Sequence, residues 1–251
     1  MKTYALIGKP LSHSFSRKYF KEKFEQNQVS ADYFLKTLDS IQELRNWIEE
    51  TPELEGFNVT MPYKKAILPY IDDLDKSAKV CGNVNCVKLI RENNTIKLKA
   101  YNTDYYGFQT SLKESFDISS LHTALILGSG GVSQTLAAVL EQEGIEFKIV
   151  SRNPKNCERE ISYEDASNTL EQYQLIINAT PCGMHPLEST LPPLSLDKLT
   201  PSHCVFDLIY NPTETLLLKN AIAKGCKTTN GYRMLTLQAD KSWEIWQNNK
   251  I

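Results

Sequence analysis

Short apolar runs and amphipathic stretches alternate along this chain. Residues 4–7, Tyr-Ala-Leu-Ile, predict a strand. Residues 15–26 follow a helical period, with Phe15, Tyr19, Phe20 and Phe24 on one side. Residues 32–38 predict a second strand, after which Asp39 or Ser40 can cap a helix through Ile41, Leu44, Trp47 and Ile48. Gly56-Phe57-Asn58-Val59 is a short strand closed by Thr60-Met61-Pro62. Residues 86–91 and 95–101 predict a hairpin around Asn93-Asn94. The second half is more regular: a buried-type strand at 124–127, a glycine loop, and an apolar helix at 132–143 that Gly144 ends. Strands at 147–150, 175–178 and 204–208 follow, with helices at 213–224 and 232–247.

Strands alternating with helices imply an α/β fold with a parallel sheet covered on both faces. The pattern changes character over residues 102–122, so a domain boundary is expected there. Residues 1–101 form a less regular unit with a hairpin, and residues 102–232 read as a dinucleotide-binding sheet. Two domains imply a cleft between them, a favoured place for a ligand.

Composition narrows the class. The 251 residues are 41% hydrophobic and 23% charged, ordinary for a globular protein and unlike a disordered or fibrous one. Lys plus Arg number 28 and Asp plus Glu 30, a net charge of −2, which offers no global field for nucleic acid or an anionic membrane. The longest aliphatic run, 136–140, is far shorter than the roughly 20 residues of a membrane span. No targeting segment is visible, and a cytoplasmic location is expected. The six cysteines make no C-x-x-C pair and the four histidines no H-x-x-x-H pair, so no metal site is expected.

Leu127-Gly128-Ser129-Gly130-Gly131-Val132-Ser133 has strand–glycine loop–helix order. Glycine lets the backbone approach a pyrophosphate, and the helix N-terminus offers free N–H groups. The alternative is a tight turn with no ligand. An NAD site places an acid about 20 residues on, at the end of the next strand. Here Ser151-Arg152-Asn153 stands there, and an arginine suits a 2′-phosphate. NADP is therefore expected over NAD, with a solvated Arg152 as the alternative.

Four polar signatures in the first half are unusual for a core: Gly8-Lys9-Pro10-Leu11-Ser12-His13-Ser14-Phe15-Ser16, Asn58-Val59-Thr60-Met61-Pro62-Tyr63-Lys64, Gly82-Asn83-Val84-Asn85, and Asn102-Thr103-Asp104-Tyr105-Tyr106-Gly107. Ser14 or Ser16 can bind an anion, cap the following helix, or both. In the second half stand Asn178-Ala179-Thr180-Pro181-Cys182-Gly183-Met184, Asp207-Leu208-Ile209-Tyr210-Asn211-Pro212, and Gly231-Tyr232-Arg233-Met234-Leu235 with Gln238-Ala239. Together these resemble, in order, the motifs of the shikimate dehydrogenases, which interconvert 3-dehydroshikimate and shikimate with NADP(H).

The resemblance implies an N-terminal α/β substrate domain, a Rossmann-like NADP-binding domain, and a last helix, 233–251, that returns to the first domain. It implies Lys64 as catalytic acid/base with Asp104 as partner. It implies Ser14 and Ser16 on the substrate carboxylate, and Thr60, Asn85, Tyr210 and Gln238 around the ring and hydroxyls. Gly128, Ser129, Gly130, Gly131, Val132, Ser151 and Arg152 would hold NADP, with Leu208 and Gly231 on the nicotinamide side. Arg17 stands where the family has proline, Tyr19-Phe20 where it has His-Asn, and Cys86 where A-V-N-T ends in threonine. The alternatives are a quinate/shikimate dehydrogenase using NAD or NADP, and a catalytically silent shikimate-binding sensor. The expected partners are small molecules, in a monomer or homodimer.

Overall fold

The computed structural model describes residues 1–11, 15–93, 95–155 and 158–248. Ser14 and His13 lie outside the described residues. Two compact units emerge: 1–106 with 238–251, and 107–237. Both boundaries fall inside helices, five residues beyond the expected 101/102 and 232/233 positions, because helices α5 (Thr103–Ser115) and α9 (Tyr232–Gln247) span them.

The first unit holds a six-stranded mixed sheet: β1 (Lys2–Gly8), β2 (Ala31–Thr37), β3 (Leu54–Val59), β4 (Asp73–Leu74), β5 (Cys86–Glu92) and β6 (Thr95–Tyr101). The strand order is β2-β1-β3-β5-β6-β4. Only β5 runs against the rest, antiparallel to both β3 and β6. The start of β5 therefore lies at the same sheet edge as the ends of β1, β3 and β6. Helices α1 (Phe15–Gln26), α2 (Leu44–Glu49), α3 (Tyr63–Ala66) and α4 (Lys76–Cys81) connect the strands. Ser40 caps a short 3-10 turn ahead of α2 through a capping box, which shortens the α-helix expected there.

One face of this sheet packs an aromatic cluster. Phe20 and Phe24 of α1 meet Tyr4, Tyr33 and Trp246, all buried. Tyr4 stacks on Trp246 at 4.7 Å between ring centroids, and Phe20 on Tyr33 at 4.4 Å. Trp246 also donates its indole N–H to the Val87 carbonyl at 3.0 Å, so its polar end is satisfied. A further bond joins Tyr19 of α1 to Asp240 of α9 at 2.6 Å, and Lys23 pairs with the same carboxylate.

The second unit is a six-stranded, wholly parallel sheet: β7 (Thr123–Leu127), β8 (Glu146–Val150), β9 (Glu160–Ile161), β10 (Leu175–Asn178), β11 (Cys204–Asp207) and β12 (Lys227–Asn230). The order β12-β11-β10-β7-β8-β9 reverses direction between β7 and β10, the Rossmann-like doubly wound arrangement. Helices α6 (Gly131–Gln142), α7 (Tyr163–Asn168) and α8 (Leu216–Ala223) serve as connections. Helix α8 begins at 216 rather than 213 because the buried Thr215 caps it, its side chain accepting from the Leu218 N–H.

Trp246 fixes the end of α9 on the first unit's sheet by ring contact and by a buried hydrogen bond. Trp246→Ala is expected to destabilise that unit by about 3–5 kcal/mol, the range for large aromatic truncations. Urea unfolding checks this; a loss within error of zero would contradict the packing described.

Candidate active site

The site in the first unit grows from the sheet edge that the reversed strand creates. Strand β3 ends at Val59, and the Thr60 N–H donates to the Ile7 carbonyl of β1 at 2.9 Å. The chain then turns through Thr60-Met61-Pro62 into α3. Tyr63 anchors that helix, donating its hydroxyl to the Leu38 carbonyl at 2.7 Å from a buried position. Lys64 follows, its carbonyl accepting from the Val84 N–H at 2.8 Å. Its backbone is thus held on both sides. Lys65, next along, is exposed.

Asp104 arrives from β6. Asn102 caps α5, its Oδ1 accepting the Tyr105 N–H at 3.0 Å, and its Nδ2 donates to the Asn83 side chain at 2.8 Å. Asp104 sits in the first turn of α5, where a negative charge faces the positive end of the helix dipole. Lys64 Nζ donates to Asp104 Oδ2 at 2.5 Å. The side chains are 23% and 13% exposed, so the pair is partly open to a ligand.

Behind the pair lies a buried polar network. Asn58 Nδ2 donates to the Asn85 carbonyl at 3.1 Å and to Ser242 Oγ at 2.9 Å, and Asn58 Oδ1 accepts from the Tyr33 hydroxyl at 2.9 Å. Burial pushes the Tyr33 phenol well above its ordinary value. Asn85 Oδ1 accepts the Thr103 N–H at 2.6 Å, which leaves Asn85 Nδ2 without a hydrogen-bond partner among the described residues. Asn85 therefore presents donors rather than acceptors. Thr103 Oγ1 lies 3.1 Å from Ser242 Oγ and 3.5 Å from Gln238 Oε1. Ser16, Thr60, Lys64, Asn85, Asp104 and Gln238 thus belong to one unit. Ser16 stands inside the first turn of α1, so it is not that helix's cap.

In the second unit, Gly128 follows β7 with φ +103°, a left-handed conformation suited to glycine. A Cβ there would also lie 3.0 Å from Thr180 Cγ2, at the switch point between β7 and β10. Ser133 does more than stay small: its hydroxyl donates to the Gly128 carbonyl at 2.6 Å and holds the loop. Gly130 stands at the N-cap of α6 with no side-chain bond to the free N–H groups. Added Cβ atoms on Gly130 and Gly131 would meet nothing within 4 Å. Ser129, Gly130 and Gly131 are exposed and Val132 half-buried. An uncapped helix end beneath open space fits a dinucleotide phosphate. Ser151 is buried, its N–H donating to the Ile161 carbonyl at 3.1 Å, while Arg152 is exposed. Burial raises the pKa of the Tyr163 phenol, and the positive charge of Arg152 opposes the rise.

Leu208 and Gly231 meet directly: a Cβ on Gly231 would fall 1.9 Å from the Leu208 carbonyl oxygen, so only glycine fits. Tyr210 belongs to this unit, half-buried, with its phenol pushed up by burial. Asp207 is completely buried. Its carboxylate accepts from Thr215 Oγ1 at 2.6 Å, Asn178 Nδ2 at 2.9 Å and the Ile209 N–H at 3.1 Å. Burial nevertheless raises its pKa above the ordinary carboxylate value. Among the described residues no group of His, Cys, Asp and Glu is placed to hold a metal ion, and no helix is long and apolar enough to cross a membrane.

Sequence reasoning passed over four members of the network. Asn58 and Thr103 stood within recognised motifs, and a polar residue inside the apolar run 56–59 was the available signal for Asn58. Tyr33 and Ser242 carried no local signal, because their partners are distant in sequence.

The family model for the shikimate dehydrogenase substrate binding domain matches residues 6–87. The shikimate dehydrogenase (NADP(+)) of Methanococcus maripaludis is 36% identical over 265 residues, covering 99% of this chain and 92% of the relative. The crystal structure of the chorismate mutase/shikimate 5-dehydrogenase fusion protein of Clostridium acetobutylicum matches with a TM-score of 0.89 at 33% identity, covering 100% of this chain and 93% of that one. Quinate dehydrogenase from Corynebacterium glutamicum, in complex with NAD, matches with a TM-score of 0.87 at 25% identity, covering 98% and 93%.

The buried Asp207 carboxyl makes a test of pH dependence. Its folded pKa lies above the unfolded value near 3.8, so the folded state holds the proton more tightly. Its contribution to stability is therefore greatest below the unfolded pKa and falls as pH rises through the folded one. Asp207→Asn removes that titration. The stability difference between unmodified protein and variant is expected to shift against the unmodified protein as pH rises from acid, then level off. Urea midpoints across pH check this; parallel pH profiles for the two proteins would contradict it.

Proposed function

The chain belongs to the shikimate dehydrogenase family, and from that premise we propose that it catalyses the reversible NADPH-dependent reduction of 3-dehydroshikimate to shikimate, a step toward chorismate and the aromatic amino acids. The first unit takes the substrate and the second takes NADP. The observation that carries this reading is the 2.5 Å contact between Lys64 and Asp104, partly open and backed by donor and acceptor side chains.

NADPH, when bound, supplies a hydride. Gly128, Ser129, Gly130, Gly131 and Val132 would receive its pyrophosphate at the α6 N-terminus, and Ser151 with Arg152 its 2′-phosphate. Leu208 and Gly231 would line the nicotinamide side. Reduction of a ketone also needs a proton at the carbonyl oxygen, where negative charge develops. The Lys64 ammonium stabilises that charge and the Lys64–Asp104 pair delivers the proton. In the reverse direction the same pair takes the hydroxyl proton. Asp104 orients Lys64 and a ring hydroxyl. Asn85 donates to a second hydroxyl from its unpartnered Nδ2. Thr60, Gln238 and Tyr210 complete the ring contacts, and Ser14 and Ser16 hold the carboxylate by hydroxyl donors.

The similarity to a quinate dehydrogenase bound to NAD favours a second reading, a quinate/shikimate dehydrogenase using NAD. Against it, no acidic side chain stands at the end of β8, where Ser151 and Arg152 follow Val150. We place the enzyme in the cytoplasm, as a monomer or homodimer acting on small molecules.

Reduction of NADP by shikimate, followed at the nicotinamide absorbance beside NAD and quinate controls, tests the activity. Lys64→Ala is expected to lower turnover by about 10²–10⁴-fold with a small change in shikimate affinity. The exposed Lys65→Ala serves as control and should stay near the unmodified rate. Equal damage from both substitutions would contradict the role given to Lys64. Arg152→Ala should raise the Michaelis constant for NADP far more than that for NAD, and equal use of both cofactors by the unmodified enzyme would reject the cofactor assignment.

A further inference from the structure

Resting on the function proposed above, we infer that Ser242 of α9 is a positioning residue for the reaction, whose buried hydroxyl, through Thr103, holds Asp104 and the donor face of Asn85 in place. No substrate contact is assigned to it.

The amide of Asn58 can be oriented in only one way. Its Nδ2 faces the Asn85 main-chain carbonyl at 3.1 Å, and a carbonyl only accepts. A flipped amide would set oxygen against oxygen in a buried site. The second Nδ2 hydrogen must therefore go to Ser242 Oγ, 2.9 Å away. Ser242 is completely buried, so no solvent competes for the remaining capacity of its hydroxyl. That capacity goes to the Gln238 carbonyl at 2.9 Å and to Thr103 Oγ1 at 3.1 Å.

Thr103 is the next link. It precedes Asp104 in the first turn of α5 and is itself buried. Its N–H can only donate, and it donates to Asn85 Oδ1 at 2.6 Å. That bond turns the Asn85 amide so that Nδ2 is left for a ligand. The hydroxyl bridge from Ser242 to Thr103 thus fixes two things at once: the backbone that presents Asp104 to Lys64, and the orientation of Asn85. Gln238 lies one helical turn before Ser242, and its side chain reaches the same Thr103 hydroxyl at 3.5 Å. One serine on α9 therefore ties the end of β3, the start of β5 and the start of α5 into a single arrangement. Preorganisation of this kind acts on turnover, since a small misplacement of reacting groups is costly.

The test is Ser242→Ala in the full chain, with Thr103→Val as a second variant that cuts the bridge from the other side and also removes the 3.2 Å contact of the Thr103 hydroxyl with Asn85 Oδ1. In each, kcat for shikimate oxidation is expected to fall about 10-fold or more while KM for NADP stays unchanged. The double variant should be little worse than Thr103→Val alone, in which the bridge is already broken. Thr103→Ser, which keeps the hydroxyl, should recover most of the turnover lost in Thr103→Val. Amide hydrogen exchange over residues 103–106 should quicken in Ser242→Ala without ligand, and that readout stands even if Ser242→Ala melts early. A folded Ser242→Ala with unmodified kcat and unmodified exchange would overturn the inference, as would losses that simply add in the double variant. An unmodified chain that fails to reduce NADP with shikimate would instead overturn the proposed function, so the two failures are distinct.

Discussion

The first unit is organised by one buried amide. Asn58 sits within a strand whose neighbours Phe57 and Val59 are core residues. An unpaired buried polar group costs about 1–3 kcal/mol, so the surrounding structure must supply partners. It does so from three sequence-distant places: the Tyr33 hydroxyl on β2, the Asn85 carbonyl ahead of β5, and Ser242 on α9. Each partner then continues outward. Tyr33 stacks on Phe20 of α1, Asn85 takes the Thr103 N–H, and Ser242 meets Thr103. The topology makes this economical, because the reversed β5 starts at the edge where β1, β3 and β6 end. Side chains from positions 33 to 242 can therefore share one network.

The second unit solves the same problem with a carboxylate. Asp207 ends β11 and bonds Thr215 and Asn178. Asn178 ends β10, next to β7. Its carbonyl accepts from the Leu208 N–H at 3.0 Å. The strand ends around the switch point are thus joined by side chains before any ligand is considered. The glycine loop rests on that base: Gly128 lies against Thr180, and Thr180 bonds Asn178 Oδ1 at 2.7 Å. A rigid floor beneath an open helix end is what phosphate binding through backbone N–H groups requires.

Much of this was legible in the sequence, and the omissions have physical causes. Strongly periodic segments such as 15–26 and 232–247 appear with the expected ends. Helix α5 was passed over because Thr103–Ser115 spreads few large apolar side chains among polar ones and contains Gly107. Strand β12, Lys-Thr-Thr-Asn, is polar because it is an edge strand only partly covered. The site divides similarly. Lys64, Asp104 and Asn85 lie in compact motifs, each near the end of one element, and those motifs could be read locally. Ser242 could not, since nothing in Asp240-Lys241-Ser242-Trp243 shows that it faces Asn58, 184 residues away. Local chemistry leaves a local signature; a buried hydrogen-bond partner across the fold leaves none.

The two charged centres also differ in a way that separates structure from chemistry. Asp207 has no solvent exposure and all its acceptors face protein donors, so its chemistry is spent on holding the strand ends together. Lys64 and Asp104 remain partly exposed, and for an ion pair largely withdrawn from water the cost of desolvation offsets much of the attraction. Stability alone is a weak reason to place a lysine and an aspartate there and to hold both backbones with a buried network. A reacting oxygen is a stronger one. It needs a cation and a proton within reach, in a geometry set before it arrives, and the side chains behind the pair are arranged to keep that geometry rather than to neutralise the pair.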